Sequence, residues 1–268
     1  MTGMGTIPLS TTDHWISTRR GRLAVRRWQP AAPPGASVPI VLFHDSLGCI
    51  DLWRGFPALL ARCAGRAVIA YDRSGFGRSD ARNDPPSLDF IREEALETFS
   101  VLREQMGFDR CVAFGHSVGG AMAAHCAALH GAACAALITE STQFFVEDRT
   151  LAGILETQAQ FSQPEAFGRL RRYHGERARW VLDAWTGTWL APGFKDWSLA
   201  ETLRQVRCPT LVIHGSEDEY GSLLHPERIA RTVGGPARLA ILPGTRHVPH
   251  REEEGRVAGE VARFLGSE

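Results

Sequence analysis

Three uninterrupted apolar runs, Pro39–His44, Ala67–Tyr71 and Cys111–Phe114, constrain the fold of this chain more than any other feature. A strand with one wet face alternates apolar and polar residues. A run without alternation is buried on both faces, the situation of strands in a parallel sheet covered by helices. Helical patterns at about 51–64 and 88–106 separate the runs and are long enough for right-handed crossovers. Residues 22–28 read as an N-terminal strand closed by a Pro/Ala/Gly-rich turn over 30–37, with further strands expected at 135–139, 209–214 and 238–242. Helices are expected near 223–233 and 252–265. This alternation predicts an α/β fold with a doubly wound, mostly parallel sheet. A length of 268 residues suits one such domain carrying an insertion.

The alternation lapses between roughly 142 and 205, where helical stretches occur without a buried strand. The expected division is therefore a core of 1–141 and 206–268, with a helical cap over 142–205 inserted after the sixth sheet strand. That segment holds Trp180, Trp185, Trp189 and Trp197, four of the seven tryptophans. Such aromatics either pack a cap onto its core or line an apolar pocket. Trp185, Trp189 and Phe144 are the pocket candidates, beside Trp180, Phe145 and Phe161. The same segment carries Arg169, Arg171, Arg172, Arg177 and Arg179, read chiefly as a solvated helix face, with a phosphate- or carboxylate-bearing substrate as the minority reading.

Thirty basic residues balance thirty acidic ones, so no global field draws the protein to nucleic acid or to an anionic membrane. No leader pattern is visible over Met1–Ser10, and no apolar run approaches the ~20 residues needed to span a bilayer. The six cysteines have no C-x-x-C spacing and read as buried free thiols in a reducing cytoplasm, where the protein is expected to reside. No cluster has metal-ligand spacing, and Gly75-Phe76-Gly77 lacks the rest of a dinucleotide fingerprint, so neither metal nor nucleotide cofactor is expected.

Chemistry enters at Gly115-His116-Ser117-Val118-Gly119, which fits G-x-S-x-G between an apolar run and an Ala-rich helical run over 121–130. A serine on so sharp a strand-to-helix turn is exposed above the sheet. Its hydroxyl is a poor nucleophile at neutral pH and needs a base, oriented in turn by a third group. The run Thr210–His214 ends in Gly215-Ser216-Glu217-Asp218, and Ala240–Leu242 leads to Pro243-Gly244-Thr245-Arg246-His247. Ser117, Asp218 and His247 thus all fall at carboxyl ends of expected strands, where α/β sheets bind ligands. Glu217 and Glu219 flank the acid position, and the Gly-x-x-Asp spacing selects Asp218.

The order Ser…Asp…His, together with His44-Asp45-Ser46-Leu47-Gly48 and Tyr71-Asp72-Arg73-Ser74-Gly75-Phe76-Gly77-Arg78-Ser79, resembles the α/β-hydrolase fold over nearly the whole chain. The resemblance implies Ser117 as nucleophile, His247 as general base and Asp218 as orienting acid, with no cofactor. It implies oxyanion-hole amides at Ser46 and Val118, donors worth ~3–4 kcal/mol of barrier each. It also leaves rivals. His250 stands three residues beyond His247, Glu140 stands where some relatives carry the acid, and His116 packs beside the elbow. His44, Asp72 and Arg73 read as loop braces. One departure stands out, because Asp45 replaces the glycine usual after that histidine. It either makes the turn or sets a carboxylate at the pocket mouth.

The implied activity is hydrolysis of a small-molecule carboxylic ester, lactone or thioester through an acyl-enzyme on Ser117. The same triad serves hydrolysis of a carbon–carbon bond in a vinylogous diketone, and it is compatible with perhydrolase or haloperoxidase chemistry. A non-catalytic binding protein on this fold is the alternative from another class. A serine at the elbow argues against dehalogenase or epoxide hydrolase chemistry, in which relatives use aspartate.

Overall fold

The structure, a computed structural model, describes residues 8–31 and 38–266. The turn expected over 30–37 lies outside the described residues from 32 onward, as do residues 1–7 of the N-terminal stretch. Chain order is β1 (Leu9–Thr18), β2 (Gly21–Pro30), β3 (Ile40–Phe43), α1 (Phe56–Ala64) and β4 (Val68–Tyr71). Then come α2 (Phe90–Glu93), a π-helical turn (Glu94–Thr98), α3 (Phe99–Met106), β5 (Cys111–His116), α4 (Val118–Leu129) and β6 (Cys134–Glu140). Four helices follow, α5 (Asp148–Gln160), α6 (Pro164–His174), α7 (Ala178–Trp189) and α8 (Ala200–Gln205). The chain closes with β7 (Thr210–Gly215), α9 (Leu224–Thr232), β8 (Ala237–Leu242), α10 (Pro249–Glu252) and α11 (Glu254–Gly266).

The eight strands form one sheet in the order β1-β2-β4-β3-β5-β6-β7-β8. β1 and β2 pair antiparallel, and β3 through β8 run parallel. Residues of the apolar runs alternate between two cores. Val41, Phe43, Ile69, Tyr71 and Ala113 face α3 and α4. Ile40, Leu42, Val68, Ala70, Val112 and Phe114 face α1 and α11. Burial on both sides explains why these runs show no alternation.

The strand expected at 22–28 is not the first. β1 precedes it and was hidden because it is an edge strand in which only Ile16 is buried and most of the other residues are exposed. The helical pattern over 88–106 is interrupted by the π turn at Glu94–Thr98. Between β6 and β7 the described chain has helices and a single isolated bridge, Phe145 to Ser198. α5 and α6 each pack on α7, while α8 packs against α4 and α9. Phe194, Leu199 and Leu203 accordingly join the core beneath the sheet. Cys49, Cys111, Cys126 and Cys134 are buried free thiols, but Cys63 is exposed and Cys208 is half-buried. Among the described residues no helix is long and apolar enough to cross a membrane.

Candidate active site

β5 ends at His116 and the backbone reverses at Ser117 with φ 54° and ψ −126°, a left-handed strain few non-glycine residues adopt. Strain of this kind costs of order 1–3 kcal/mol and persists only where the surroundings enforce it. They do so here by close approach. A Cβ on Gly115 would sit 2.0 Å from the Gly119 carbonyl oxygen, and one on Gly119 2.1 Å from that of Phe43. The Ser117 amide donates to the Glu140 carbonyl at 2.8 Å, and α4 begins at Val118 directly beneath the hydroxyl.

The loop after β8 returns His247 to this point. Ser117 Oγ–H donates to His247 Nε2 at 3.1 Å. His247 Nδ1–H donates to Asp218, both of whose oxygens lie 2.9 Å away. A carboxylate can only accept, so it fixes the tautomer and leaves the Nε2 lone pair free for the serine proton. The amides of Tyr220 and Gly221 donate to Asp218 Oδ1 at 2.8 and 3.1 Å, and His214 Nε2 lies 3.3 Å from Oδ2. Burial by itself would raise the Asp218 carboxyl, but His247 and these donors outweigh it and hold the group down to about 2. Burial pushes His214 down to about 4, so it stands neutral as a donor.

Facing this triad is the loop after β3. Leu47 N–H donates to Asp45 Oδ1 at 2.9 Å and Gly48 N–H to the Asp45 carbonyl at 3.2 Å. Arg73 Nη2 also donates to that carbonyl, at 2.7 Å, while the Arg73 amide donates to His44 Nε2 at 3.1 Å. Asp72 accepts the amides of Ile50 and Arg78 at 2.6 and 2.8 Å. His44, Asp72 and Arg73 thus brace loops. Asp45 makes the turn, and its second oxygen lies 3.3 Å from His116 Nδ1.

A cavity of about 370 Å³ opens on Ser117 and His247. Ser46 and Asp45 line one side, and Trp185 and Trp189 line the roof supplied by α7. Phe144 is absent from the lining. Its amide donates to His225 Nδ1 at 3.0 Å and its carbonyl accepts from Leu199 at 2.8 Å, which turns the ring into the core. Of the arginines, Arg169 lines the cavity, while Arg171 and Arg179 pair with Glu176 and Asp183 and Arg177 donates to the Gly77 carbonyl.

The rivals bind each other. His250 Nδ1–H donates to Glu140 Oε2 at 2.6 Å. Donor atoms of His116, Glu140 and His250 lie within 4.8 Å of one another, a separation a metal ion could bridge. Both His116 nitrogens, however, already face acceptors, and His250 Nδ1 is committed to Glu140. The grouping is that of a hydrogen-bonded network, in which burial lowers the His250 ring below the usual histidine range.

Two neighbours were not foreseen. Gln143 Oε1 lies 3.5 Å from Ser117 Oγ, presented by a left-handed residue at Ser141 with φ 49°. His174 of α6 accepts the Gly77 amide at 3.0 Å and donates to the Leu47 carbonyl at 2.9 Å. Neither residue sits in a pattern with a local chemical meaning.

The profile of the alpha/beta hydrolase fold matches residues 38–254. A non-heme haloperoxidase of Rhodococcus erythropolis is 26% identical over 262 residues, covering 87% of this chain and 94% of the relative. A proline iminopeptidase of Saccharolobus solfataricus is 25% identical over 237 residues, covering 74% and 75%. The crystal structure of a membrane phospholipase A, a bacterial virulence factor, superposes with a TM-score of 0.78 at 21% identity, over 96% of this chain and 86% of that one. At that identity the likeness is one of fold. With a matching profile over most of its length and this sheet order, the chain belongs to the alpha/beta hydrolase fold family.

Proposed function

We propose that this protein is a cofactor-free serine hydrolase that cleaves a small carboxylic ester, lactone or thioester through an acyl-enzyme on Ser117. The observation that carries the reading is the 3.1 Å contact from Ser117 Oγ to a His247 ring whose other nitrogen is held by Asp218. His247 takes the Ser117 proton as Oγ attacks the carbonyl carbon. Asp218 stabilises the imidazolium that forms. The amides of Ser46 and Val118 hold the developing oxyanion, aided by the positive end of α4. His247 then protonates the leaving group as the tetrahedral intermediate collapses. A water molecule, deprotonated by the same ring, attacks the acyl carbon and releases the acid.

Substrate size follows from the pocket. Leu47, Ile154, Phe161, Leu170, Trp185 and Trp189 give apolar walls suited to a medium acyl or aromatic group. The helices between β6 and β7 supply most of that wall and act as a cap. The named activities of the two relatives differ, a haloperoxidase and a peptidase, so neither is transferred.

The test is rapid-mixing kinetics with p-nitrophenyl esters of graded acyl length. The expected result is a burst of one nitrophenolate per chain, abolished in Ser117→Ala. Undiminished turnover in Ser117→Ala would overturn the reading, and turnover confined to carbon–carbon substrates such as dienoates would replace it.

A further inference from the structure

His116, the residue before the nucleophile, is fully buried, and its two ring nitrogens face two different loops. Nδ1 lies 3.3 Å from Asp45 Oδ2 in the loop that carries Ser46. Nε2 lies 2.8 Å from the backbone carbonyl of His247. A carboxylate and a peptide carbonyl are both acceptors only, and a neutral imidazole has a single N–H. Both bonds form together only when the ring carries two protons, and the adjacent carboxylate then compensates the buried charge.

We infer that Asp45 and His116 are a positioning pair, a bridge from a half-buried carboxylate to a buried imidazolium that sets the Ser46 loop and the His247 loop in register across the nucleophile. The inference rests on the serine hydrolase reading above and deepens it. His116 is absent from the cavity lining, and Asp45 stands in the cavity wall beside Ser46. Their effect passes through the oxyanion amide on one side and the base on the other, where placement within about 0.5 Å governs catalysis. A glycine at 45, the residue the family resemblance implies, has no group with which to reach His116. The substitution and the histidine are therefore two halves of one device.

The electrostatic surroundings are consistent with this bridge. Around His116 stand Asp45 from the loop after β3, Glu140 from the end of β6, His250 from α10 and His247 from the loop after β8. Arg251 and His44 act on Asp45 from the far side. Burial opposes charge on the ring, but the bond to Asp45, with Glu140 and the His247 carbonyl, raises His116 above the usual histidine range. Burial likewise opposes charge on Asp45, yet His116 holds it far below the usual carboxylate range. Both shifts favour the charged pair, the state in which the two contacts of the ring form together.

The experiment measures the labelling rate of Ser117 by a fluorophosphonate across pH, per folded chain, in wild type, Asp45→Ala, Asp45→Asn, His116→Phe and the double variant Asp45→Ala/His116→Phe. Asp45→Ala and His116→Phe should each slow labelling roughly tenfold or more, since ångström-scale misplacement of a catalytic group costs up to about 10²-fold. The double variant should be no slower than the slower single one, because both break the same bridge. Asp45→Asn can donate to a neutral His116 while that ring keeps its bond to the His247 carbonyl. It should recover most of the rate and lose the alkaline fall in activity that wild type shows as His116 deprotonates. Labelling of Asp45→Ala at the wild-type rate, multiplying losses in the double variant, or an alkaline fall that persists in Asp45→Asn would each overturn the pair. Wild type that does not label at all would instead overturn the nucleophile on which the pair depends.

Discussion

Oε2 of Glu140 lies 2.6 Å from Nδ1 of His250, one layer beneath the contact between Ser117 and His247. The two residues that rival Asp218 and His247 in the sequence are joined to each other. Burial lowers His250 below the usual histidine range, so its ring donates as a neutral group to a charged acceptor. Glu140→Gln weakens that buried charge-assisted hydrogen bond and should destabilise the fold by ~1–3 kcal/mol. Labelling of Ser117 in the folded fraction should survive. Urea unfolding and fluorophosphonate labelling separate the two effects. Loss of labelling as complete as in Asp218→Asn would move the orienting acid to the end of β6.

His174 ties α6 to the loop bearing Ser46 through the Leu47 carbonyl at 2.9 Å while accepting the Gly77 amide at 3.0 Å. His174→Phe leaves two backbone groups unpaired, at a cost of ~1–3 kcal/mol. The burst rate with a p-nitrophenyl ester should fall with it, because the loop bearing Ser46 loses its outer tether. A lower urea midpoint with an unchanged burst rate would show that this tether serves stability alone.

The β3–β8 framework and the sharp turn at Ser117 were legible because their causes are local. Strands buried on both faces carry unbroken apolar runs, and the elbow needs Gly115 and Gly119 within a single turn. β1 was not legible, since only Ile16 of that edge strand is buried. Phe144 was misplaced among pocket residues because its direction is set by His225 and by Leu199, 81 and 55 residues away in sequence. Both readings of Asp45 were in view, as turn and as carboxylate. Its contact with His116 was not, for it joins two strand ends that only the sheet order makes neighbours.

Trp185 and Phe144 separate pocket from core. Trp185→Ala should raise KM for longer acyl esters with little change in thermal midpoint, because that ring roofs the cavity. Phe144→Ala should cost ~3–5 kcal/mol of stability by opening a core cavity and leave KM alone. A substrate series run beside thermal unfolding checks both. The reverse assignment would place the acyl pocket under α4.

The depressed Asp218 carboxyl makes an acid-stability prediction. Its folded value, about 2, lies below its ordinary 3.8, so its stabilisation is complete above the ordinary value and lost as pH falls through about 2. That difference corresponds to ~2 kcal/mol at neutral pH. The unfolding free energy of wild type should exceed that of Asp218→Asn at neutral pH, and the gap should close as pH drops from about 4 to about 2. A gap independent of pH would mean that the carboxylate charge contributes nothing to the fold.

The central claim is that Ser117 is the nucleophile, activated by His247. Peptide mass spectrometry after fluorophosphonate treatment tests it most directly. The expected result is a single adduct on Ser117, absent in Ser117→Ala and strongly slowed in His247→Ala. An adduct on another residue, or full-rate labelling of His247→Ala, would contradict the account.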